Sequence, residues 1–134
     1  MTMPDMTFIH VRMNNVERIL SKNEQGELMF DYDAFIHRTS RAGMGCALDT
    51  RKIDENTFEF VSEYGVPEIV FASISAKYPD EEVKLITSPE YTESFCSYIV
   101  FKNGRKVTET DYEYDDLNTN KFLDKDGNEL VEDF

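Results

Sequence analysis

Phe95-Cys96-Ser97-Tyr98-Ile99-Val100-Phe101-Lys102-Asn103-Gly104 carries two structural signals in succession. Its first part is apolar on both alternating sides: Phe95, Ile99 and Phe101 against Cys96, Tyr98 and Val100. Such a run reads as a central strand covered on both faces. Asn103-Gly104 then supplies two residues that tolerate positive φ, the requirement of a tight hairpin turn. The partner strand runs on from Arg105 to about Tyr114. Strands joined by so short a turn are antiparallel.

Further strands appear on either side of this hairpin. Residues 57–64 alternate, with Phe58, Phe60, Ser62 and Tyr64 opposite Thr57, Glu59, Val61 and Glu63, so one face is read as core and one as mostly wet. Residues 7–13 form a first strand with Ile9, Val11 and Met13 on its apolar side. Residues 47–53 and 82–87 are shorter strands, the first closed by an Asp54-Glu55-Asn56 turn. A last hairpin is expected around Asp126-Gly127.

Helical spacing is clearest in residues 65–78. Val66, Ile69, Val70, Ile74 and Tyr78 recur at three- and four-residue steps, with Phe71 widening the stripe. Pro67 fits the first turn, and Pro79 ends the helix. Asn14 or Asn15 caps a shorter helix carrying Val16, Ile19 and Leu20. Leu28, Met29, Phe30, Tyr32, Phe35 and Ile36 form a dense segment of ambiguous period, read as a core anchor. Residues 37–45 lack apolar periodicity and read as a loop.

The pattern predicts an α+β domain: an antiparallel sheet with one or two helices on one face. Residues 1–108 make the main unit. Residues 109–134 are an acidic C-terminal extension, a strand end plus a hairpin of the same domain.

The sequence has 134 residues, with 14 basic and 27 acidic ones, for a net charge of −13. Ten Phe and seven Tyr separate it from a disordered acidic tail. The charge argues against direct binding to nucleic acid or an anionic membrane. No apolar run approaches a membrane span. Residues 1–12 lack the basic start and apolar core of a signal peptide, so a cytoplasmic location is expected. Cys46 and Cys96 form no CxxC motif, and free thiols are expected.

Three segments carry a family resemblance. The first is Gly26-Glu27-Leu28-Met29-Phe30-Asp31-Tyr32-Asp33-Ala34-Phe35-Ile36, and the second is Thr57-Phe58-Glu59-Phe60 with the helix ending Ala76-Lys77-Tyr78-Pro79. The third is Ser97-Tyr98-Ile99-Val100-Phe101 followed by Lys102-Asn103-Gly104. Together they resemble the YubB-type ferredoxin-like domain family of plasmid and phage proteins. The resemblance spans roughly residues 7–108 and implies a ferredoxin-like fold and a mobile-element origin. The family usually shows tryptophans in its middle loop and an AWSPP-like turn before the helix. This sequence has no Trp, with Arg41-Ala42-Gly43-Met44-Gly45-Cys46 and Glu63-Tyr64-Gly65-Val66-Pro67 in those places.

No catalytic motif stands out. His10 and His37 have no HxxxH or HExxH spacing, and a site joining them to Cys46 and Cys96 lacks the local pairing of zinc ligands. Asp124 to Glu129 places Phe122 at the first position of a calcium loop, where no ligation is possible. Gly43-Met44-Gly45 lacks the rest of a phosphate cradle. No enzymatic activity, cofactor or metal is therefore expected.

Two charge features remain. Arg38, Arg41, Arg51 and Lys52, with His37 beside them, form a basic island. It reads either as an anion or nucleotide contact or as cations neutralised by the protein's own carboxylates. The other feature is residues 109–134, with ten acids and two lysines. Glu109, Asp111 and Glu113 share a strand face about 6.6 Å apart, with Asp115 extending the row and Asp116 following. Tyr112 and Tyr114 occupy the opposite face, as core residues or, where exposed, as anchors for the partner.

This row reads as a solvated, aggregation-resistant edge or as a partial imitation of a nucleic-acid backbone aimed at a basic protein groove. The second reading, joined to the resemblance, leads to an expected function. The protein is expected to be a non-enzymatic inhibitor of the anti-CRISPR kind that blocks a CRISPR effector or another basic nucleic-acid-binding enzyme. Self-association through sheet edges is the structural alternative.

Overall fold

In the computed structural model, which describes residues 6–37, 44–92 and 94–130, nine strands form around one α-helix. The chain opens with β1 (Met6–Arg12), crosses over through a small β2–β3 ribbon (Ser21–Lys22 and Leu28–Met29), and enters β4 (Ala47–Asp54) and β5 (Thr57–Glu63). Helix α1 (Glu68–Lys77) follows, then β6 (Val83–Pro89), β7 (Phe95–Lys102), β8 (Arg105–Asp115) and β9 (Lys121–Leu123). Seven strands make one sheet in the order β4-β5-β1-β6-β7-β8-β9, and every pairing is antiparallel. The protein is an α+β domain with its helix on one sheet face.

The expected hairpin forms at Asn103-Gly104, with φ of 53° and 86°, the left-handed pair that matches strand twist. Ser75 on α1 fastens it: the Gly104 N–H donates to Ser75 Oγ at 2.9 Å, and Ser75 Oγ–H donates to the Ala72 carbonyl.

One face of the sheet holds the main core. Ile9, Val11, Phe58, Phe60, Val83, Leu85, Ile99 and Phe101 point to that side and meet Val70, Phe71 and Ile74 of α1. The crossover between β1 and β4 adds Val16, Ile19, Phe30, Tyr32 and Ile36. Asn15 caps the short 3-10 turn Val16–Arg18 by accepting from the Glu17 N–H, as its residue type favours.

Several expectations shift. Alternation places Tyr64 with Phe58 and Phe60, but the strand ends at Glu63; Tyr64 has φ 59° and is exposed. A left-handed residue breaks the alternation, so its side chain leaves the core side. Helix α1 starts at Glu68, with Pro67 just before it as the cap residue. Ile69 is exposed, because Val70, Phe71 and Ile74 fill the narrow contact with the sheet. Strand β7 is flanked by β6 and β8 as expected. Cys96 and Val100 are buried on its far side, yet they stand outside the main core, and no described helix lies over them.

Among the described residues, no helix is long and apolar enough to cross a membrane. Both cysteines are free thiols. Burial, reinforced by nearby Asp111, pushes the Cys96 thiol up to about 11, so it is an inert protonated group at neutral pH.

Gly45 enters β4 at φ 70°, and a Cβ there would lie 2.6 Å from Glu63 Cβ. The Glu63 side chain is held in place by its carboxylate, which accepts from the Cys46 N–H and Sγ–H and whose carbon would lie 3.3 Å from the same Cβ. Gly45→Ala is therefore expected to cost about 2 kcal/mol from the left-handed backbone alone. A urea midpoint unchanged from the parent protein would contradict this reading.

Candidate protein-binding cleft

Strand β8 is eleven residues long and outruns β7, so its last part pairs on its outer side with the short β9. The register places Glu109 opposite Ile99, Asp111 opposite Ser97 and Glu113 opposite Phe95. The acidic row thus shares the sheet face that carries the helix. Tyr112 pairs with Cys96 on the opposite face, and Tyr114 packs its ring 5.2 Å from Phe122.

The row is not uniform. Lys106 Nζ lies 2.9 Å from both Glu109 and Glu68, and these two carboxylates raise the Lys106 pKa, Glu109 first. Glu109 is thereby engaged within the protein, sharing Lys106 with Glu68. Asp111 accepts from the Ser97 hydroxyl at 2.6 Å. Asp115 closes the β8–β9 turn by accepting from the Thr119 hydroxyl and from the Thr119 and Asn118 N–H groups. Those bonds, the Thr119 hydroxyl foremost, hold its carboxyl below the usual range. Asp124 does the same for the next turn, where the Asn128 N–H is the main cause of its lowered pKa.

Beyond Glu109 these groups converge on a cleft of about 600 Å³. Asp111, Glu113, Asp115, Asp116 and Asp124 line it, with Lys125 as its cation. Phe95, Tyr114, Leu117 and Leu123 supply the apolar part, and Leu117 is 88% exposed. Among the described residues, no cation pairs with Glu113 or Asp116. A neighbouring hollow is lined by Tyr91, Phe95, Glu113 and Tyr114.

The structure therefore brings Asp111, Glu113, Asp115 and Asp116 together along one cleft, which Tyr114 also lines although it alternates to the face of Tyr112. It sets Glu109 apart with Lys106 and leaves Tyr112 on the other face. Leu117 enters the cleft from the β8–β9 turn and Asp124 from just past β9, which the row on β8 alone did not reveal. An isolated Leu in the otherwise polar turn of residues 115–120 was the available signal.

The described members of the basic island are each paired with a carboxylate of the protein. Arg51 pairs with Glu59, and Lys52 Nζ lies 2.6 Å from Glu17. Arg38 and Arg41 lie outside the described residues. Among the described residues, no cluster of His, Cys, Asp and Glu is arranged to hold a metal ion.

Comparison with protein-family models, with curated proteins and with solved structures gives no match.

Proposed function

We propose that the protein acts by binding rather than catalysis, presenting its acidic cleft to a basic groove on a nucleic-acid-handling partner and blocking it. The observation that carries this reading is the cleft: five carboxylates and one lysine around exposed Leu117 and Tyr114. Carboxylates on a strand repeat at about 6.6 Å, sparser than phosphates on one strand of a duplex. Asp116 and Asp124, from outside the row, raise the local density. Exposed apolar side chains inside a charged rim are the composition of a binding anchor.

The finer reading is an inhibitor of the anti-CRISPR kind, carried by a phage or plasmid and working in the host cytoplasm. It rests on the YubB-type resemblance and on the charge. A ferredoxin-like ancestry agrees with an antiparallel sheet bearing its helix on one face, although seven strands exceed the usual core. The competing anion-binding reading is weakened by the ion pairs of Arg51 and Lys52.

The test is affinity capture at about 50 and 500 mM salt, concentrations that bracket weak and strong screening. The parent protein is compared with a variant carrying Asp111→Lys, Glu113→Lys and Asp116→Lys. These three carboxylates hold no turn together, so the variant is expected to fold with unchanged or slightly higher stability as self-repulsion falls. Capture of a nucleic-acid enzyme at low salt by the parent protein alone is the expected result. Equal capture by the folded variant, or concentration-dependent self-association with no partner, contradicts the proposal.

A further inference from the structure

The sheet face opposite α1 carries a second concavity, of about 540 Å³, at the β4-β5-β1-β6 end. That size lies within the range of small-molecule sites. Phe8 and Val61 form its apolar part, and Phe8 is 45% exposed. Its polar wall is continuous: His10 Nε2 lies 3.2 Å from Glu59 Oε2, and Arg51 bonds the other oxygen of the same carboxylate. Asp49, Ser88 and Thr92 complete the lining.

A bulge builds this wall. Between the Leu48–Val61 and Arg51–Glu59 pairs, β4 advances three residues while β5 advances two. The extra residue turns Arg51 onto the face that Leu48 and Glu59 share, where an unbroken strand would have aimed it away. Asp49 sits within the bulge at φ 52°.

We propose that this pocket binds an uncharged planar heteroaromatic ring of the nucleobase class, stacked on Phe8 with its polar edge against Asp49, Glu59 and Arg51. The inference is independent of the acidic cleft, which lies at the other end of the sheet. Phe8 and His10 are on one strand and one face, about 6.6 Å apart, so a flat ring reaches both. Asp49 accepts hydrogen bonds, while the guanidinium of Arg51, whose side chain is 70% exposed, donates them. A nucleobase edge offers the complementary mixture of donors and acceptors.

Charge decides against phosphate. Two carboxylates, Asp49 and Glu59, line the pocket with one guanidinium, Arg51, which is bonded to Glu59. Burial, with Arg51 adding to it, lowers the His10 pKa, which favours the neutral imidazole. The pocket keeps an excess of negative charge and repels an anionic ligand. The base of a free nucleoside and a base within a single strand offer the same ring, and the pocket's charge selects the former.

The experiment is a titration of isotope-labelled protein, followed by NMR, with each common ribonucleoside, its monophosphate and a short single-stranded oligonucleotide. At least one nucleoside is expected to give saturable shifts at Phe8, His10 and Ser88. Its monophosphate and the oligonucleotide should bind about fivefold or more weakly through the unfavourable charge. Phe8→Ala should weaken the nucleoside about tenfold by removing the stack, while Phe8→Tyr retains it. Phe8 lies outside the main core, so both variants fold. Asp49→Asn should narrow the gap between nucleoside and monophosphate. No saturable shift from any nucleoside, equal or tighter monophosphate or oligonucleotide binding, or indifference to Phe8→Ala overturns the proposal.

Discussion

Phe30→Ala is expected to lower the free energy of unfolding by about 3–5 kcal/mol, the range for deleting a buried aromatic ring. Phe30 sits just after β3, outside the main sheet, yet it is almost fully buried. Its ring centroid lies 5.3 Å from Phe58, 5.1 Å from Phe60, 5.5 Å from Phe71 and 5.5 Å from Tyr32. Those partners belong to β5, to α1 and to the crossover itself. One side chain thus joins the crossover to both layers, and neither layer can close over its absence without moving the other. Domains of this kind hold about 5–15 kcal/mol in total, so the loss is a large share. Urea unfolding measures it. Phe30→Leu, which keeps much of the volume, should lose clearly less; equal losses for the two variants would contradict the packing account.

The second large effect is expected at Glu81. Its side chain is 0% exposed, although it is a carboxylate just past a helix end. Glu81 Oε1 accepts from the Asn14 N–H at 2.7 Å, and Oε2 accepts from the Asn15 N–H at 3.2 Å. Arg18 lies 3.6 Å from Oε2 and also pairs with Asp80. The carboxylate therefore holds the start of the crossover against the segment joining α1 to β6. Glu81→Ala leaves those N–H groups without their acceptor and is expected to cost about 3 kcal/mol. That corresponds to a drop in Tm of roughly 10 °C for a domain of this size. Glu81→Gln keeps one carbonyl oxygen and should cost less. A Glu81→Ala protein melting within a degree or two of the parent would show that water replaces the carboxylate.

These two residues mark what could and could not be read in advance. Phe30 stood in a dense apolar segment, and its assignment to the core needed only composition. Glu81 carried no such signal: an acid after Pro79-Asp80 reads as solvated, and its partners are 66 and 67 positions away. The strands and α1 were legible because alternation and helical spacing act locally. Tyr64 and Ile69 were misplaced because each depends on where an element ends or how much of its stripe the sheet can cover. For the site, period-two alternation placed Asp111 and Glu113 on one face correctly. It could not show that Lys106 withdraws Glu109 or that Asp115 is occupied by the turn. Nor could it show that β9 brings Asp124 to the same cleft. The open-face pocket was hidden for the same reason. His10, Arg51 and Glu59 come from three strands, and a single extra residue in β4 decides which way Arg51 faces.

Under the proposed function, the acidic cleft covers a surface of the partner otherwise used by nucleic acid. The most direct test is displacement of labelled nucleic acid from the purified captured partner, followed by fluorescence anisotropy at about 50 mM salt. The parent protein is predicted to displace the nucleic acid completely and the Asp111→Lys, Glu113→Lys, Asp116→Lys variant to displace none. A ternary complex in which partner, nucleic acid and parent protein bind together without competition would contradict the account.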